Sequence, residues 1–162
     1  MYHTKITTVT ELSGTHITQI IALMEQIPEY DPVDAVADIR QRLYDKRILL
    51  QLLEVEGELA GFNLGYALDE QRFFSWLGGI ATDWRGLGLA EQLLAAQEQW
   101  LQANGYQSVK IQTRNQYRPV LNLLIRNRYQ VVDLAPVADD VSQYRLSLQK
   151  SLLTSDSAHP AS

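Results

Sequence analysis

The sequence predicts a mixed α+β fold, with one sheet of about seven strands and about four helices. Three observations carry this. Apolar residues recur at helical spacing in some segments and cluster or alternate in short runs in others. Glu56-Gly57-Glu58 splits one long apolar stretch in two, which reads as a hairpin. Cap and breaker residues (Ser13, Pro28, Pro119, Asn104-Gly105) fall where the periodicity changes. The resulting order is strand, two helices, three strands, helix, strand, helix, two strands.

Taken in order, Lys5 to Leu12 alternates as a first strand. Ser13-Gly14-Thr15 offers an N-cap, and Ile17, Ile20, Ile21, Met24 and Ile27 line a first helix that Pro28 stops. In the next helix Asp31 caps, Pro32 takes the first position and Asp34 sits in the first turn. Its apolar face is read as Val33, Val36, Ala37, Arg40, Leu43 and Tyr44, with the Arg40 stem as the charged member. "RILLQLLEV" and "ELAGFNLGYAL" form the hairpin, and a further strand runs from about Arg72 to Ala81. Its Gly78-Gly79 pair predicts a bulge or a close backbone approach. Leu89, Ala90, Leu93, Leu94, Trp100 and Leu101 make the long third helix, ended by Asn104-Gly105. "SVKIQT" is a strand with Val109, Ile111 and Thr113 on one face. Asn115 to Asn127 is helical, started or bent by Pro119. "YQVVDL" and "SQYRLSL" are the last strands, joined by an acidic loop through Pro136, Asp139 and Asp140. Residues 1–150 are read as a single domain and 151–162 as a mobile tail.

Composition narrows the function. The net charge of −5 argues against a nucleic-acid partner, and Arg114, Arg118, Arg126 and Arg128 read as a solvated face before a phosphate site. The chain has no cysteine, which excludes thiolate catalysis, disulfides and cysteine metal sites. His3, His16 and His159 are too scattered to suggest a metal centre, so none is expected. "MYHTKITTVTEL" lacks the apolar core of a signal peptide, and no apolar run matches a membrane span. A cytoplasmic location is the expectation.

Gly86 and Gly88 stand directly between a strand and a helix, where bare N–H groups bind anions. A P-loop would need Lys-Ser or Lys-Thr where Leu89-Ala90 stands. A dinucleotide fingerprint would need glycine at Glu91 and an acidic end to the following strand, which closes Thr113-Arg114. Both fail. What remains, Arg85-Gly86-Leu87-Gly88-Leu89-Ala90, matches the R/Q-x-x-G-x-G/A signature, and the chain resembles the GNAT superfamily of N-acetyltransferases. The likeness runs from Phe73 to Leu134 and extends to the order of elements outside it.

The resemblance implies a mostly antiparallel sheet splayed in its middle, with acetyl-CoA as cosubstrate. Arg85, Gly86, Leu87, Gly88, Leu89 and Ala90 would hold the pyrophosphate, Arg85 by touching phosphate or by holding the loop. Ile80, Ala81 and Thr82 would line the pantetheine arm, with main-chain groups of Ile80 and Thr82 as its partners. Asn115 would contact the coenzyme, or cap the next helix, or both. Direct transfer to a primary amine of a small molecule or peptide is implied, without a covalent enzyme intermediate. The family's usual helix tyrosine falls on Leu124, and Arg128 replaces the usual glycine. Tyr117 is therefore the candidate proton donor, or else a packing residue, with Asn122 a weaker donor. Glu29 is the candidate base, beside Tyr30 and Asp31 and with Asp69, Glu70 and Ser75 as further options. The acidic loop hints at a cationic acceptor. An acyl-CoA sensor without turnover is the alternative from another class, and a longer acyl chain a variant of the same reaction. The terminal strand Gln143–Gln149 offers an edge for pairing across a dimer.

Overall fold

The structure, a computed structural model, describes residues 2–30 and 35–153. Asp31, Pro32, Val33 and Asp34 of the second cap, and the tail beyond 153, lie outside the described residues. Among those described, the elements are β1 (Thr4–Val9), α1 (Gly14–Glu25), α2 (Ala35–Leu43), β2 (Ile48–Val55), β3 (Glu58–Ala67), β4 (Arg72–Ile80), α3 (Leu89–Ala103), β5 (Ser108–Arg114), α4 (Arg118–Arg126), β6 (Gln130–Ala135) and β7 (Arg145–Ser151). Short 3-10 turns cover Thr82–Trp84 and Val141–Gln143. The sheet has 7 strands in the order β1-β2-β3-β4-β5-β7-β6. This is the α+β order that the sequence predicts.

Two compact units are built from the described residues of Met1–Ala67 with Trp76–Gln97, and of Leu68–Ser75 with Glu98–Ser162. In the first, β1 pairs antiparallel with β2, from Thr4↔Val55 to Val9↔Leu50. Strands β2 and β3 pair antiparallel from Ile48↔Tyr66 to Val55↔Glu58. The turn between them has positive φ at both Glu56 (49°) and Gly57 (84°), the geometry whose twist suits a two-residue hairpin. Strand β2 is buried on both faces, which is why its sequence is a continuous apolar run and does not alternate. Helix α1 starts on a capping box: the Ser13 hydroxyl accepts from the His16 N–H, and His16 Nδ1 accepts from the Ser13 N–H. It buries Ile17, Ile20, Leu23 and Met24. The face expected for α2 is corrected in part: Ala37, Arg40 and Tyr44 are exposed, while Leu43 is buried as expected and, among the described side chains, is joined by Ile39. Arg42 then lies with its guanidinium 4.9 Å over the Trp76 ring and donates to the Tyr66 hydroxyl at 3.0 Å.

In the second unit, β5 pairs antiparallel with β7 from Ser108↔Ser151 to Arg114↔Arg145, and β6 pairs antiparallel with the other side of β7. Strand β7 is thus interior, which overturns the expectation that Gln143–Gln149 forms an exposed edge; β6 takes the edge. The first residues of β4 pair parallel with β5, from Arg72↔Ser108 to Ser75↔Ile111, and there the ladder ends although both strands go on. Leu101, Val109, Leu124, Tyr129 and Leu148 are buried in this unit. The Tyr129 hydroxyl donates to Glu98 Oε2 at 3.0 Å, and Lys150 Nζ meets Glu98 Oε1 at 2.7 Å. Burial, and then the Glu98 charge, push the Tyr129 phenol far above its ordinary pKa, so it stays a donor at every working pH.

Candidate functional site

The two glycine pairs of the signature region sit where they do for different physical reasons. Gly86 (φ 82°) and Gly88 (φ 76°) both occupy the left-handed region, and a Cβ built on either would meet no atom within 4 Å. Conformation, not crowding, demands glycine there, and the backbone faces open space. Helix α3 follows at Leu89, and its first helical bond runs from the Gln92 N–H to Gly88 O at 3.3 Å. The amides just before it are therefore helix-start donors beside the positive end of the dipole. Leu89 anchors the turn by packing with Ile80, Leu53, Val55 and Leu93.

Gly78 and Gly79 answer to crowding. A Cβ on Gly78 would lie 2.9 Å from Phe62 O, and one on Gly79 would lie 3.1 Å from the Ile27 side chain. Across the pair, a Cβ on Gly61 of β3 would lie 2.8 Å from Gly79 O and 2.6 Å from Ile80 Cδ1. The close approach that the sequence leaves unassigned is thus made by β3 and by Ile27. Because Gly79 O faces Gly61 and the Ala81 N–H donates to Ala60 O at 2.8 Å, main-chain groups of Gly78, Ile80 and Thr82 point to the opposite edge.

Along that edge the structure gathers several of the sequence candidates. Arg85 Nε donates to Ile80 O at 3.0 Å and Nη2 to Glu29 Oε2 at 2.9 Å. Arg85 thus ties the loop back to the end of β4 and to Glu29. Ala81 is fully buried, and Leu87 is exposed at the tip of the loop. Thr82 donates to Gln26 O through both its N–H (3.2 Å) and its hydroxyl (3.0 Å). The Tyr30 hydroxyl accepts from the Gly78 N–H at 2.6 Å and donates to Gly78 O at 2.7 Å.

Asn115 and Tyr117 belong to the second unit. Asn115 Nδ2 donates to Val141 O at 3.0 Å, and Tyr117, not Asn115, is the N-cap of α4. The capping role expected of Asn115 is therefore corrected: its amide ties β5 to the loop before β7. Tyr117 is half-buried, and its N–H donates to Arg114 O at 3.0 Å. Leu124 is only 2% exposed, an apolar core position in place of a reactive one. Arg128 has φ 72°, which explains the glycine that the resemblance expects there. Sequence reasoning missed the pairing of Tyr30 with Gly78, since nothing in local spacing links positions that far apart. No cluster of three or more metal-ligating side chains occurs among the described residues, and no helix there is long and apolar enough to cross a membrane.

A family model for the acetyltransferase (GNAT) family matches residues 17–126. An acetyltransferase of Pectobacterium atrosepticum is 29% identical over 100 residues, covering 62% of this chain and 70% of that protein. Solved structures share the fold, among them the following two. The ribosomal-protein-S18-alanine N-acetyltransferase of Escherichia coli superposes with a TM-score of 0.74 at 13% identity, over 93% of this chain and 96% of its own. A GNAT family acetyltransferase of Elizabethkingia anophelis with acetyl-CoA bound gives 0.69 at 19% identity, over 90% and 97%. With the family model spanning well over half of its length and the loop of Arg85 to Ala90 inside the match, the chain belongs to the GNAT acetyltransferase family.

Proposed function

We propose that this acetyltransferase moves an acetyl group from acetyl-CoA directly to a primary amine, with the pyrophosphate held by the turn from Arg85 to Ala90 and the pantetheine arm by the main-chain edge of Ile80 and Thr82; Ala81 between them faces β3. The observation that carries the reading is the pair of left-handed glycines, Gly86 and Gly88, opening onto unfilled space at the start of a 15-residue helix. Such a terminus offers several N–H donors and a positive dipole end to one diphosphate. Acetyl-CoA supplies the acyl group as a thioester. The chain's part is to bind it, fix its carbonyl against backbone N–H donors, and handle protons.

An amine acceptor with a lysine-like pKa of about 10.4 must lose a proton before it attacks. Glu29 is our candidate for receiving the acceptor, because an incoming ammonium can take the place of the Arg85 guanidinium on its carboxylate. Tyr117 is our candidate for returning a proton to the departing thiolate, and Asn115 for steadying the coenzyme. The acceptors named for related proteins, an alanine of ribosomal protein S18 in the Escherichia coli enzyme and aminoglycosides in another fold relative, suggest the class to screen: small-molecule and peptide amines. Calorimetric titration with acetyl-CoA, coenzyme A and NADH tests the reading. Micromolar binding of the coenzyme A pair alone, abolished in a folded Gly88→Glu variant, is expected. No binding by the folded wild-type chain overturns it.

The buried Leu124 favours a second reading, an acyl-CoA sensor of the same fold without turnover. Acetyl-CoA binding without enzyme-dependent thiol release at any pH, across an amine panel, would select it.

A further inference from the structure

The main-chain edge that the acyl-CoA reading requires carries hydrogen bonds to the chain's own residues. Gly78 and Ile80 of β4, and Thr82 just past its end, share the side that faces away from β3. Each is met by the segment that follows α1 or by a side chain bonded to it. The Tyr30 hydroxyl takes both the N–H and the C=O of Gly78, as a neighbouring strand would. Ile80 O accepts from Arg85 Nε, while Nη2 of the same guanidinium holds Glu29. The Thr82 N–H donates to Gln26 O, the main-chain oxygen that also receives the Thr82 hydroxyl. Gln26 and Tyr30 thus bond directly to Thr82 and Gly78, and Glu29 reaches Ile80, the alternate residue between them, only through the Arg85 guanidinium. Strand geometry spaces such residues at about 6.6 Å, a ladder repeat.

We infer that the Gln26–Tyr30 segment is a strap that competes with acyl-CoA for this edge, with the Tyr30 hydroxyl holding the place of the acyl carbonyl at Gly78. The inference rests on the acyl-CoA reading, which runs the ligand from the pyrophosphate turn at Arg85–Ala90 upstream past Thr82 and Ile80. Extended in that direction, the acyl end arrives at Gly78. A carbonyl oxygen accepting from the Gly78 N–H needs the position that Tyr30 Oη fills at 2.6 Å. The two cannot share one N–H at full strength, so binding and strap release are coupled by that contact. Because Glu29 rides on the same segment and is bonded to Arg85, release parts it from that guanidinium as the acyl group is seated.

Tyr30→Phe removes the hydroxyl and leaves the ring. Since it deletes a competitor worth about one hydrogen bond, acetyl-CoA is expected to bind about fivefold tighter to this variant. Hydrogen exchange on the full-length wild-type chain supplies a second readout that needs no variant. Ile27 and Tyr30 amides are bonded to Met24 O and Ile27 O, so the segment starts protected. Acetyl-CoA is expected to slow exchange in the peptide covering Gly86 to Glu91 and to speed it in the peptide covering Gln26 to Tyr30. Slowing at the glycine turn with no change, or slowing, at Gln26–Tyr30 overturns the strap and leaves the acyl-CoA reading standing. So does unchanged affinity in a folded Tyr30→Phe chain. Absence of any acetyl-CoA effect at the turn overturns both.

Discussion

Gly78-Gly79 and Gly86-x-Gly88 lie only a few residues apart and use the same residue type for opposite ends. The first pair is walled in: its missing side chains make room for Phe62 O of β3 and for Ile27. The second is in the open, and its missing side chains allow a backbone conformation that L-residues rarely adopt. One pair lets the protein come close to itself, and the other leaves a surface on which something else can settle. A glycine-rich stretch is therefore not one signal but two. Only the second kind speaks for a ligand.

Substitution distinguishes them. The largest effect is expected at Gly61, the partner of the crowded pair, where an added methyl would meet backbone at 2.8 Å and the Ile80 side chain at 2.6 Å. Gly61→Ala is expected to lower the unfolding free energy by about 3 kcal/mol, read from urea denaturation, because β3 and β4 must move apart. A loss below about 1 kcal/mol would mean that the strands yield easily, and the contrast would collapse. Gly88→Ala comes next. With no atom within 4 Å of its Cβ, only the φ of 76° is at stake, and a stability loss of about 1 kcal/mol is expected. Its acetyl-CoA affinity should fall further than its stability suggests, since the amides of the turn would be misaimed. The smallest effect runs the other way. Arg128 holds φ 72° with a side chain that gains nothing from it, so Arg128→Gly should stabilise the chain by about 0.5–1 kcal/mol in the same assay. A loss there would show that the Arg128 side chain contributes more than its strained backbone costs.

The order of elements was legible because caps, breakers and periodicity are local. Ser13, Glu56-Gly57, Pro119 and Asn104-Gly105 act within a turn of where they stand. The glycine turn from Arg85 to Ala90 was legible for the same reason, being one continuous strand-turn-helix. Pairings between distant positions were not. Strand β7 reads in sequence like any terminal strand, and its place between β5 and β6 is decided by tertiary packing of Leu146 and Leu148, which the local pattern does not encode. Asn115 looked like a cap because a cap is the local use of asparagine, while its actual partner, Val141 O, lies beyond α4 and β6. For α2, the short apolar pattern admitted two faces, and burial chose Ile39 with Leu43.

The interior position of β7 bears on how the chain is made. Strands β5 and β6 leave the ribosome before the strand that joins them, so each emerges with an unpaired edge. Until Arg145–Ser151 follows, the hydrogen-bond partners of Ser108–Arg114 and Gln130–Ala135 on that side are missing. The β2–β3 hairpin, closed by Glu56-Gly57, has no such wait. Nascent chains halted short of β7 would therefore present two open edges to one another, and this is the stage of synthesis at which a chaperone has most to protect.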